Sequence, residues 1–291
     1  MTRIQLLGFN YLVNRVVMSC DKKYLYPLLH TIYSAKTTSE KDYVVTVAYD
    51  PDQLDEDALR LIRDLCNLLN VNLEFYPIRI PSDLPAIFYI STATYAKMLL
   101  ADQISDSFLY LDCDLLCLPG WDQLLPESSS LYSRFIALAC PEDMSGVNKQ
   151  RNLAVEKAGS RYFNAGVMIF NSQMWQEAGM PIKWRFLASN YKEFGFELAD
   201  QCILNFLLCD SYMQISTGFN RTTINESVNV DDQDFILHYT GWNKPWRVEL
   251  NSSEEREKVI KYLESERSFL AKTSQLRYKE IFSLEQLRSQ S

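Results

Sequence analysis

The chain has 291 residues and a formal net charge of −8, so it is long enough to bury one substantial core. It is too acidic, with its Lys and Arg too scattered, to read nucleic acid through phosphates. Hydrophobic residues make up 47% and aromatic residues 13%, which excludes a disordered polypeptide. No apolar run approaches the roughly 20 residues that span a bilayer. The opening segment, broken by Asn10, Asn14 and Arg15, does not read as a signal peptide.

The seven cysteines (Cys20, Cys66, Cys113, Cys117, Cys140, Cys202 and Cys209) show no zinc-type spacing. Several sit in apolar segments, as reduced thiols of a cytosolic protein do. Triplets at Asn220, Asn225 and Asn251 fit N-glycosylation only in a secreted protein, which nothing else in the sequence suggests. The expected location is cytoplasmic.

In chain order, Arg15–Ser19 reads as a short apolar strand, followed by a helix on which Leu25, Leu28, Leu29, Ile32 and Tyr33 recur at helical spacing. Residues 43–49 form a second strand, Asp50-Pro51-Asp52 a turn, and Leu54 to Leu69 an amphipathic helix. A third strand covers residues 72–76. This alternation predicts βαβ units on a parallel sheet covered on both faces. A helix is expected over residues 92–100 and a buried strand over 108–111. Further strands are expected over 135–140 and 166–171. A long helix over 175–194 breaks at Pro181, a shorter one covers 201–209, and a late strand covers 235–239. From about Ser252 to Ser291 the sequence turns rich in Glu, Lys and Arg with interspersed apolar residues. It divides into a domain over 1–250 and a helical extension over 251–291. That extension reads as amphipathic helix packed on the core, with a weak peripheral membrane contact as the alternative.

Asp112-Cys113-Asp114 follows the buried strand directly. Residues two apart on a strand share a side, so the two carboxylates converge. They invite a divalent cation, and hard oxygen ligands suit Mn²⁺ or Mg²⁺. An acid-x-acid turn is also common without a metal. None of the nine glycines is spaced as in a phosphate-cradling loop, so a bound diphosphate would need a metal and side-chain cations. The segment from His238 through Gly241 and Lys244 to Trp246 supplies an imidazole, a glycine and an ammonium group close together. Taken alone, His238 is more often a core or surface residue than a ligand. Asn164 is more often a turn or cap residue, and Asp200 a helix N-cap.

Taken together these segments resemble glycosyltransferase family 8, whose members are retaining UDP-sugar transferases. The resemblance spans about Val16 to Trp246. Its motifs are the strand ending at Asp21 and Tyr24, Ser91 through Lys97, Leu109 through Asp114, Tyr162 through Met168, Asp200 through Asn205, and His238 through Trp246. It implies a Rossmann-like GT-A fold of α/β class with a mainly parallel sheet.

At the site it implies that Ser19 and Asp21 hold the uracil, that Tyr24 stacks on it, and that Asp112, Asp114 and His238 ligate Mn²⁺, with Mg²⁺ as the alternative. Cys113, between the two acids, belongs to the same donor-binding segment. Gly241 and Lys244 match residues that touch the diphosphate. Lys97 stands where the family often has Arg. Asn164, Ala165, Asp200 and Gln201 match the shell around the donor hexose.

The implied chemistry is transfer of galactose or glucose with retention. Lys244 stabilises the leaving group, and Gln201 and Asp200 face the reacting carbon. The implied partners are a UDP-sugar donor and a saccharide, glycolipid or glycoprotein acceptor, with residues 219–225 near the acceptor. Where the family often carries a second acid, this chain has Cys202, which reads as a buried, inert thiol on an apolar helix. A sugar-nucleotide pyrophosphorylase and a UDP-sugar-binding protein without turnover are the competing readings.

Overall fold

The computed structural model describes residues 14–87, 90–125, 134–142, 152–222, 233–241, 244–246, 253–274 and 276. The N-terminal half runs β1 (Arg15–Ser19), α1 (Leu25–Thr38), β2 (Val44–Tyr49), α2 (Glu56–Leu69) and β3 (Asn72–Pro77). It continues through α3 (Ala96–Gln103), β4 (Phe108–Leu111), β5 (Leu115–Cys117) and β6 (Ala137–Pro141). Then come α4 (Leu153–Ala158), β7 (Phe163–Phe170), α5 (Ser172–Glu177), α6 (Met180–Ser189) and α7 (Ala199–Leu208). The described chain closes with β8 (Tyr212–Gln214), β9 (Arg221–Thr222), β10 (Ile236–His238) and α8 (Ser253–Thr273).

Seven strands form one sheet in the order β3-β2-β1-β4-β7-β6-β8. The first four lie parallel, β7 runs against both its neighbours, and β6 and β8 return to the common direction. Alternate residues of β1 feed opposite faces: Val16 and Met18 enter a core with α1, α2 and α8, whereas Val17 enters one with α3, α6 and α7. Each such buried aliphatic side chain contributes roughly 1.5–3 kcal/mol. The helices obey local rules. On α2, Ala58, Leu61, Ile62 and Leu65 are buried, Asp55 caps the start by accepting the Ala58 N–H at 2.9 Å, and left-handed Asn70 ends it.

The mainly parallel α/β sheet and the terminal helix are as expected, with local differences. A tight 3-10 turn covers Thr92–Tyr95, and α3 begins only at Ala96. The long helix after β7 breaks at left-handed Gly179, with Pro181 in the first turn of α6, because proline suits a helix start rather than a break within it. Strand β7 starts at Phe163, so Asn164 lies in a strand and not at a cap. Helix α7 starts at Ala199 with Leu198 as N-cap, so Asp200 does not cap the helix and its carboxylate is used elsewhere. The short elements β5, α4, β8 and β9 carry too few periodic residues to be read from sequence.

A second sheet of three strands, β5-β10-β9, stands beside the first. The chain crosses between the sheets within Asp112-Cys113-Asp114. The acid pair therefore spans the link from β4 to β5 and does not sit on one strand end as expected. Helix α8 packs on α1 with Val259, Tyr262 and Phe269 turned into the core. No described helix is long and apolar enough to cross a membrane.

Candidate functional site

Strand pairing explains why residues far apart in the chain meet. Strand β1 pairs with β4 as Val17 with Tyr110, so the end of β1 at Ser19 lies beside Asp112. In the small sheet, His238 pairs with Leu115, and the Tyr239 N–H donates to the Asp114 carbonyl at 3.0 Å. Asp114 and His238, 124 residues apart, are thereby neighbours. Between β6 and β7 the register slips: Ala139 pairs with Met168, but Cys140 pairs with Asn164. Such irregularities re-aim groups beside functional sites. Here the Ala165 and Gly166 N–H groups turn to side chains, donating to Gln201 Oε1 at 3.1 Å and Asn164 Oδ1 at 2.8 Å.

One cavity at the carboxyl edge of the sheet gathers all fourteen residues that the sequence singles out. On one wall, Asp21 accepts the Lys23 and Tyr24 N–H groups, which sets the turn that presents the Tyr24 ring. Ser19 shares a 2.8 Å hydrogen bond with the Tyr110 hydroxyl. The Cys113 thiol turns back to the Ser19 carbonyl at 2.7 Å, away from the two acids that flank it.

At the centre, one ligand atom from each of Asp112, Asp114 and His238 lies within 4.8 Å of the others. His238 Nε2 stands 3.1 Å from Asp114 Oδ1 and 3.9 Å from Asp112 Oδ2. The cluster has a built floor. A Cβ on Gly166 would sit 2.2 Å from His238 Cε1 and 2.9 Å from Asp112 Oδ2, so only glycine leaves room there. Two carboxylates and an imidazole form a donor set that fits Mn²⁺ or Mg²⁺.

Charge around the cluster is asymmetric. Burial works against ionisation of Asp114, but the Lys244 ammonium and the His238 ring hold its carboxyl far below the usual range. Burial dominates at Asp112 and pushes its carboxyl up, opposed by Lys97. Lys244 Nζ lies 2.6 Å from Asp114 Oδ2 and donates to the Tyr239 carbonyl at 2.7 Å. Gly241, with φ +80, lies between them in sequence and also lines the cavity.

The far wall is polar and tightly paired. Lys97, 1% exposed, lies 2.7 Å from Asp200 Oδ2 and 3.3 Å from Asp112 Oδ1, and donates to the Ala165 carbonyl at 2.9 Å. Desolvation opposes its charge, yet those two carboxylates raise its pKa, so the ammonium persists. A point charge with three acceptors suits lysine here as well as an arginine fork would. The other Asp200 oxygen accepts from the Thr94 hydroxyl. Ala199, at φ +38, holds a left-handed conformation immediately before it.

Three contributors escaped the sequence reading. Glu142 accepts from Asn164 Nδ2 at 3.3 Å and Gln201 Nε2 at 2.8 Å, and burial pushes its carboxyl up. A signal existed: it follows a buried strand that runs parallel to β4 and leaves the sheet at the same edge. Asn220 was expected near an acceptor, but it is buried and bonds His238 and Asn164 at 2.9 Å each. The rest of that expected acceptor segment, from residue 223, lies outside the described residues. Thr94 is the third; it lies in the motif from Ser91 through Lys97, in which only Lys97 is given a role. Cys202 does not line the cavity. Its buried sulfur accepts from Asn152 Nδ2 at 3.2 Å and the Leu198 N–H at 3.3 Å, and burial raises the thiol pKa.

The architecture has solved counterparts. The galactosyltransferase LgtC, solved with donor and acceptor sugar analogues, superposes with TM-score 0.69 at 21% identity, over 87% of this chain and 95% of its own. The bifunctional glycosyltransferase WbbM follows at TM-score 0.65 and 17% identity, over 94% and 52%. The fold is thus the GT-A-like one of these glycosyltransferases.

Residues 15–249 match the glycosyl transferase family 8 profile, and the chain belongs to that family. Among curated relatives, glycosyltransferase GlyA of Streptococcus pneumoniae is 28% identical over 54% of this chain but 22% of GlyA. General stress protein A of Bacillus subtilis is 24% identical over 80% and 87%. A lipopolysaccharide 1,2-glucosyltransferase of Escherichia coli is 24% identical over 67% and 62%. Against GlyA and GlyD the match spans only about a fifth of the relative's length.

Proposed function

We propose that this glycosyltransferase is a metal-dependent, retaining hexosyltransferase that moves galactose or glucose from a UDP-sugar to a saccharide, glycolipid or glycoprotein hydroxyl. The observation that carries this reading is the convergence of Asp112, Asp114 and His238 over a glycine floor, with Lys244 on one side and the Asn164–Asp200–Gln201 wall on the other. Relatives named as lipopolysaccharide glucosyl- and galactosyltransferases support the choice of hexose. The place of action is the cytoplasm, where a glycolipid acceptor would be met at the inner membrane face.

In this reading Tyr24 stacks on the uracil, while Ser19 and Asp21 meet its polar edge. Asp112, Asp114 and His238 hold Mn²⁺, or Mg²⁺, which when bound neutralises charge that develops on the diphosphate. Lys244 leaves its pairing with Asp114 far enough to share its ammonium with the leaving group, in a site where water screens little. Asn164 and Asp200 grip the hexose hydroxyls, since amides and carboxylates offer fixed donors and acceptors. Lys97 pairs with Asp200 and orients its carboxylate. Gln201 faces the reacting carbon. Its amide oxygen already accepts one N–H from Ala165 and retains a second lone pair for positive charge on the sugar. The acceptor hydroxyl attacks on the face that UDP leaves, and a phosphate oxygen takes its proton.

The test is UDP release from a panel of UDP-sugars with Mn²⁺, with and without glycan acceptors. The reading expects release that needs the metal, favours UDP-galactose or UDP-glucose and rises with an acceptor. UDP-sugar binding without release under any acceptor would instead mark a binding protein. UTP formation from pyrophosphate would mark a pyrophosphorylase.

A further inference from the structure

The orientation of His238 can be traced back to a single backbone group. The Gly166 N–H donates to Asn164 Oδ1 at 2.8 Å, and because an N–H only donates, the Asn164 amide has one allowed orientation. In that orientation Asn164 Nδ2 meets the acceptor Glu142 Oε1 at 3.3 Å. The same Asn164 Oδ1 also faces Asn220 at 2.9 Å, so the group there must be the Asn220 nitrogen. The Asn220 oxygen is then left facing His238 Nδ1, 2.9 Å away. An oxygen without a proton requires an N–H opposite it. Nδ1 therefore carries a proton, and Nε2 is the ring nitrogen turned toward both carboxylates.

The opposite tautomer fails on the same contacts. It would turn the Asn220 oxygen onto Asn164 Oδ1 unless Asn164 turned too. That turn would set an amide NH₂ against the Gly166 N–H and an amide oxygen against the Glu142 carboxylate. Asn220 and His238 are 5% and 4% exposed, so solvent is poorly placed to relieve these clashes.

We propose that Asn220 is a positioning residue that fixes His238 as its Nδ1–H tautomer and so presents Nε2 to the cation. The proposal rests on the metal-site reading above and adds to it the group that orients the imidazole. Partners of this kind on metal-bound histidines tune affinity strongly.

The chain has two histidines, which makes the test clean. Long-range ¹H–¹⁵N correlation spectra of histidine-labelled protein, assigned with a His30→Gln variant, read the tautomer without metal or substrate. The ring of His238 is expected to show a protonated Nδ1. Asn220→Leu should scramble that pattern and weaken Mn²⁺ binding, read by electron paramagnetic resonance of the free ion, by about 10- to 100-fold. A cooperative melting transition of Asn220→Leu like that of wild type separates lost orientation from misfolding. A wild-type protein that binds Mn²⁺, with an Asn220→Leu variant that keeps both tautomer and affinity, overturns the proposal alone. A wild-type protein that binds no Mn²⁺ overturns the metal-site reading and the proposal with it.

Discussion

His30 and His238 are the two histidines of this chain, 0% and 4% exposed. His30 lies on α1 and faces α8, where the Tyr262 and Phe269 rings lie at 4.4 and 5.5 Å and its Nε2 meets the Ser265 hydroxyl at 3.0 Å. Burial in that apolar setting drives its pKa from 6.5 to about 3, so the ring stays neutral and packs. His238 is buried as deeply but faces two carboxylates and an oriented amide. Burial does not separate a core imidazole from a working one; the charges placed around the ring do. The two regions touch, since Tyr262 packs against both His30 and Tyr239, the residue after His238.

The largest expected effect falls on the charged region. Asp114→Ala removes a ligand and the partner of Lys244, and should lower metal-dependent transfer by about a thousand-fold or more, as a loss of several kcal/mol of charge stabilisation implies. Full activity of that variant in EDTA would break the contrast outright. Gly166→Ala comes next. Its Cβ, 2.2 Å from His238 Cε1, must displace the ring, so Mn²⁺ affinity should fall while the circular dichroism spectrum stays native.

His30 sharpens the other side. Its folded pKa lies below its unfolded one, so only the unfolded chain takes up a proton as pH falls. The stability linked to His30 is complete above pH 6.5 and is lost as pH drops toward 3, by up to about 1.4 kcal/mol per pH unit. Denaturant melts of His30→Gln across this range should show a flatter pH dependence with turnover retained; an unchanged slope would contradict the assignment. The smallest effect belongs to Cys202→Ala. It leaves the Asn152 amide and Leu198 N–H unmet and should cost about 1–3 kcal/mol of stability, with turnover within about twofold. A collapse in turnover, measured beside an intact melting transition, would return this sulfur to the chemistry.

Much of this arrangement was legible before the fold was known, for particular reasons. The N-terminal strands and α2 carry their period in long apolar runs, and all fourteen singled-out residues line one cavity. What stayed hidden was set by pairing between distant segments. Asp114 and His238 meet through the β5–β10 register, not because two acids share a strand end. Asn220 looks like a loop residue until the fold sets it against His238 and Asn164. The slip between β6 and β7 that frees the Gly166 N–H leaves no compositional trace, because it depends on which residues face each other across the sheet.

The most direct check titrates Mn²⁺ into the protein with UDP present and follows the free ion by electron paramagnetic resonance, for wild type, His30→Gln and His238→Ala in parallel. One bound ion per chain in wild type and His30→Gln, with binding lost in His238→Ala, is the predicted result. A His238→Ala protein that binds Mn²⁺ as tightly as wild type would contradict the acid–imidazole site on which the proposed transfer rests.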